Sequence, residues 1–96
     1  MSDRIDRSTV PKRRLEVRVR KQRDRTLIAL ADDARELDPV ATFIWQQMDG
    51  ERSIGEIVAA VCAAYDVDEA TALGDIAELT QDLVDAGFLN LTVSRQ

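Results

Sequence analysis

Ninety-six residues, of which 45 % are hydrophobic, make one small domain rather than two, with a core that hides only about 60 to 65 % of the unfolded surface. The chain has no histidine and a single cysteine, Cys62, which excludes an internal disulfide and the usual zinc and haem ligand sets and removes the commonest general base. Residues 1–35 carry eleven Lys/Arg against six Asp/Glu, a net of +5, whereas residues 36–96 carry two Arg against twelve acids, a net of −10.

Such asymmetry fits either a nucleic-acid arm or a basic hairpin docked on its own acidic helices. The acidity of the helices, which would repel phosphates, favours the second. The longest apolar run, Ile57 to Tyr65, is far too short to span a bilayer, so the expected location is the cytoplasm, with no membrane partner.

Residues 1–14 show no periodicity and are expected to form a flexible N-terminal tail. From Leu15 the pattern alternates: Leu15, Val17 and Val19 point one way and Glu16, Arg18 and Arg20 the other, the period of a half-buried strand. Lys21 to Arg25 reads as a polar turn and Thr26 to Leu30 as a second strand, giving an antiparallel hairpin. After Asp32-Asp33, the stretch Ala34 to Leu37 is a short third strand, whose outer edge is free unless a helix or the first strand covers it.

Asp38-Pro39 starts the first helix, with an acid at the cap and proline where a missing amide costs nothing. Gly50 suits a left-handed position at the close of that helix, and Ser53 with Glu56 forms a capping box for the next, Ile54 to about Tyr65. Ile54, Ile57, Val58, Val61 and Tyr65 make its apolar stripe, and Cys62 reads as a small core side chain. Asp68 caps a third helix from about Glu69 to Ala86, which Gly87 ends.

At 100° per residue the apolar arc of this third helix spans about 180°, where a surface helix needs little more than 100°, so it can serve two surfaces at once. Thr80 sits inside that arc; taken alone, it reads as a hydroxyl bonded back to its own helix. Asp75, Glu78, Gln81, Asp82 and Asp85 form the opposite, solvated face. Phe88-Leu89 fold back on the core, and residues 90–96 are a C-terminal tail or a last short strand.

A strand meander leading to Leu37-Asp38-Pro39, then Ile44-Trp45 and Asp49-Gly50-Glu51-Arg52-Ser53-Ile54-Gly55-Glu56-Ile57, then Tyr65, Asp75-Ile76, Leu83 and Gly87-Phe88-Leu89, resembles the PqqD-like family of RiPP recognition elements. The resemblance spans residues 15–89. Asp38 stands where the family often has Asn, and Thr80 where an apolar residue is commoner. The fold it implies is α+β and winged helix-turn-helix-like, a three-stranded antiparallel sheet followed by three helices.

The function it implies is non-catalytic. The leader segment of a ribosomally synthesised precursor peptide adds as a strand along Ala34, Arg35, Glu36 and Leu37, beside a helix wall of Leu73, Ile76, Ala77, Thr80 and Leu83. The peptide is then presented to a maturation enzyme, often a radical S-adenosylmethionine protein. No cofactor, metal or nucleic acid is expected, and a homodimer stays open.

Three other readings compete. A DNA-binding winged helix would carry Asp75, Glu78, Asp82 and Asp85 into the major groove with no Lys or Arg, which is electrostatically poor. A carrier protein needs a serine in an Asp-Ser-Leu setting, whereas Ser53 follows Arg52 and is explained by capping. An enzyme needs a base, a nucleophile and an orienting group that this sequence does not bring together.

Overall fold

The computed structural model describes residues 5–93. In chain order its elements are β1 (Thr9–Arg13), β2 (Arg18–Gln22), β3 (Arg25–Leu30), β4 (Asp33–Leu37), α1 (Pro39–Gln47), α2 (Ile54–Ala64), α3 (Glu69–Asp85) and β5 (Leu89–Val93). The α+β arrangement of an antiparallel meander followed by three helices is the expected one. Added to it is a second, two-stranded sheet, β1 with β5.

That second sheet corrects the expectation of a tail at 1–14 and, of the two readings for 90–96, takes the short strand over the tail: β1 and β5 pair antiparallel, Pro11 opposite Leu91, while residues 1–4 and 94–96 lie outside the described residues. Nothing local announces β1. Thr9, Val10 and Pro11 are all buried, so the strand does not alternate, and proline argues against a ladder. Pro11 needs no donor because its carbonyl is used instead, accepting from the Gly50 N–H at 3.0 Å, and the Arg13 N–H donates to the Met48 carbonyl at 3.2 Å. These bonds tie β1 to the corner between α1 and α2.

The meander runs β2-β3-β4, closed by two-residue turns that place Arg23 and Ala31 in the left-handed region. Its inner face carries Thr26, Ile28 and Leu37, all buried against the helices. The expected strand from Leu15 is corrected to one that begins at Arg18. The Val17 N–H donates to the Arg14 carbonyl at 3.2 Å, closing a turn that leaves Leu15 94 % exposed at its tip. The hairpin docks on the helices through its apolar face and not, as expected, through its charges. Among the described residues Arg18, Arg20, Lys21 and Arg23 make no ion pair and Arg25 meets only its neighbour Asp24, while Arg7 and Arg35 are the basic residues that reach helix acids, Glu69 and Asp82.

Helix ends follow the local chemistry. The Asp38 carboxylate accepts from the Ala41 N–H at 2.8 Å, Ser53 and Glu56 close their capping box, and Asp68 accepts from the Thr71 N–H at 3.1 Å. At the α1–α2 corner Gly50 has φ +85°, and a β-carbon there would stand 2.9 Å from the Lys12 side chain. Trp45, Met48, Ile54, Ile57, Ile76, Leu83 and Phe88 form the centre of the core. Cys62 packs at its margin, and Tyr65 meets Phe43 edge to face, ring centroids 5.6 Å apart.

Two carboxylates give the fold an acid limit: Asp49, which accepts from the Glu51 and Arg52 N–H groups in the α1–α2 corner, and the Asp68 cap. N–H bonds from Arg52 and Glu51, with the Arg52 charge, hold Asp49 below its ordinary 3.8, and the Thr71 hydroxyl and N–H do the same for Asp68. A carboxyl whose pKa is lower in the folded than in the unfolded chain binds fewer protons folded. Its stabilisation is therefore complete above 3.8 and is lost as pH falls through the lowered folded value. Thermal melts should show the midpoint dropping below that pH, and the drop should be shallower in Asp49→Asn/Asp68→Asn, which keeps acceptors but cannot titrate. An identical acid limb in the double variant would refute the assignment.

Candidate functional site

Among the described residues β4 is hydrogen-bonded on one side only, to β3. Pairs in an antiparallel ladder alternate outward from the turn, so Ala34 and Glu36 direct their N–H and C=O groups to the open side. Both residues are exposed, whereas the Leu37 side chain is buried in the core and its carbonyl accepts from the Thr42 hydroxyl at 3.3 Å.

Arg35 spans the space between this edge and α3. Its guanidinium lies 5.9 Å from the centroid of the Phe88 ring, donates to the Asp33 carboxylate and, at 3.1 Å, to the Ala34 carbonyl, and stands 3.9 Å from Asp82 on α3. Arg35 thus covers the buried Phe88 ring and bridges the slot between β4 and α3.

Steps of 100° around α3 show which of its residues face the slot. Ala72, Ile76, Thr80 and Leu83 point straight into the core, each no more than 2 % exposed, and the Thr80 hydroxyl donates to the Ile76 carbonyl at 2.7 Å. As surface-lining positions Ile76, Thr80 and Leu83 are therefore corrected to core positions. Leu73 and Ala77 lie on the flank turned away from Asp82 and line a different hollow, with Ile5, Arg7 and Gly74. Their expected place beside β4 is corrected as well.

The flank that does adjoin β4 carries Asp82 and, one and two turns earlier, Leu79 and Asp75. Leu79 is half-buried and lines a shallow depression with Asp75, Glu78 and Asp82. Leu79 is not in the expected helix wall of Leu73, Ile76, Ala77, Thr80 and Leu83, and sequence reasoning missed this flank. The available signal was the position of Leu79 near the far end of the apolar arc from Leu73 and Ala77, beside acids that can meet Arg35.

Residues 26–89 match the family described as coenzyme PQQ synthesis protein D (PqqD). The chain is 33 % identical over 89 residues to a PqqA binding protein of Xanthomonas oryzae pv. oryzae, covering 91 % of this chain and 97 % of that one. It is 32 % identical over 77 residues to a PqqA binding protein of Rhodopseudomonas palustris, covering 80 % and 76 %. Among solved structures it is similar to TbiB1 in complex with the TbiA(beta) leader peptide, with a TM-score of 0.74 and 26 % identity over 82 % of this chain and 94 % of the other. The family match takes in β3, β4, all three helices and the start of β5, every element that builds the slot, and on these grounds the chain belongs to the PqqD family.

Proposed function

We propose that this chain binds the leader segment of a ribosomally made precursor peptide as an extra strand on β4 and performs no chemistry of its own. The observation that carries the reading is the edge of β4 that no second strand pairs among the described residues, its Ala34 and Glu36 main chain turned outward with only the Ala34 carbonyl held by Arg35, on the side where Arg35 reaches Asp82 of α3. An incoming strand gains main-chain bonds from that edge, and its alternate side chains reach the apolar and acidic flank, which supplies selectivity. The likeness to a leader-peptide complex and to PqqA binding proteins supports it.

The peptide so held is presented to a maturation enzyme, of the radical S-adenosylmethionine type, in the cytoplasm. The adaptor contributes effective concentration, not catalysis. DNA binding gains nothing from this geometry, since the exposed face of α3 is acidic.

The test is an amide-shift titration of the labelled chain with the leader of a short precursor encoded beside it. Shifts centred on Ala34, Glu36 and Leu79 are expected at micromolar peptide. An absence of binding at high micromolar peptide, with residues 34–37 unmoved, would overturn the reading.

A further inference from the structure

We propose that the flank formed by β2 and the turn before it is a second docking surface, built for an acidic segment of a protein partner that seats an apolar side chain beside Leu15 and Val19. The inference does not rest on the β4 reading. β2 is the outer strand at the opposite edge of the meander, and all five of its residues are exposed. Val19 stands opposite Ile28 and so belongs to the core face of the sheet, yet it is 50 % exposed because β2 overhangs the helices. Beneath the overhang is a hollow of about 290 Å³, walled by Leu15, Val17 and Val19 over Trp45 and Met48.

Around this apolar centre positive charge outweighs negative. Lys12, Arg13 and Arg14 rim the hollow against Asp49 and against Glu16, which pairs with Arg14 at 3.5 Å, and Arg18, Arg20, Lys21 and Arg23 follow along the hairpin, the last four without an ion pair among the described residues. Charged side chains on an edge strand commonly serve to stop pairing between copies, and Arg18, Arg20 and Lys21 suffice for that. Edge protection does not account for a leucine 94 % exposed in their midst. An apolar centre within a charged rim is the anatomy of a contact surface.

The same features choose the occupant. A second copy presenting its own β2 brings Arg18, Arg20 and Lys21 against the same three cations. Nucleic acid finds aliphatic side chains but no exposed aromatic ring here on which to stack a base, and the chain's net charge of −5 repels it. An acidic protein segment gains charge contacts at the rim, burial at Leu15, and the outward main-chain groups of Val19 and Lys21. With β2 and β4 at opposite edges of one sheet, both surfaces can be filled at once.

The experiment uses the full labelled chain and a synthetic peptide of alternating Glu and Val at low ionic strength. Shifts are expected at Leu15, Val19 and Lys21, with a Kd on the order of 0.1 mM that weakens about tenfold in half-molar salt. Arg18→Glu/Arg20→Glu should abolish them and Leu15→Asp should weaken binding about fivefold; all three residues are exposed, so the variants should keep the folded spectrum. Four outcomes would each overturn the proposal: no shifts near millimolar peptide, shifts elsewhere, an unchanged Leu15→Asp variant, or equal shifts from a Lys–Val peptide. So would tighter binding of a short DNA duplex to the same residues, or broadening of these signals with protein concentration alone.

Discussion

Phe88→Ala is expected to cost about 3 to 5 kcal/mol, a large share of the roughly 5 to 15 kcal/mol that holds a small domain folded. Phe88 is fully buried and sits where three parts of the fold meet. Its N–H donates to the Leu83 carbonyl at 2.8 Å across the left-handed Gly87, its carbonyl accepts from the Arg14 N–H at 3.1 Å, and its ring lies under the Arg35 guanidinium. The two main-chain bonds persist when the ring is removed and hold the walls apart, so the cavity term adds to the lost burial. The cation–π contact is the minor part, about 0.5 to 1 kcal/mol at a half-exposed arginine. Urea denaturation should therefore show a much lower midpoint at unchanged slope for Phe88→Ala, and a loss of about 1 kcal/mol or less for Arg35→Ala. Near-equal losses would mean that the ring matters through its cation and not through packing.

The helix boundaries were legible because capping is chemistry within four residues: Asp38 with Ala41, Ser53 with Glu56, Asp68 with Thr71. The edge character of β4 was legible too, since a short last strand of a meander has only one neighbour of its own making. The pairing of β1 with β5 was not, because its partners stand 82 residues apart at Val10 and Thr92 and Pro11 hides the strand signal. For α3 the breadth of the apolar arc was readable, but its rotation was not. Which flank meets β4 depends on the contact between Arg35 and Asp82, and a helical wheel has no mark for that. The charge asymmetry was equally plain, and its destination equally hidden: the hairpin turns its basic side chains to solvent instead of to the acidic helices.

Glu36→Pro is expected to weaken leader binding about tenfold to a hundredfold while leaving the domain folded. The Glu36 N–H faces the open side of β4, so proline there removes no bond from the β3–β4 ladder, and an edge strand is where proline is tolerated. Proline also holds the preceding Arg35 in extended backbone, which the strand already requires. What is lost is one donor to the incoming strand, together with close approach past the ring, and a main-chain bond left unmade at a desolvated contact is worth about 1 to 3 kcal/mol. Glu36→Ala separates the backbone from the carboxylate and should change binding only slightly. Lys21→Pro places the same block on the opposite edge of the sheet and should leave leader affinity as it was. Calorimetric titration of the leader into the three variants decides the matter: if Glu36→Pro binds as tightly as the unaltered chain, or Lys21→Pro is the one that fails, the leader does not add to β4.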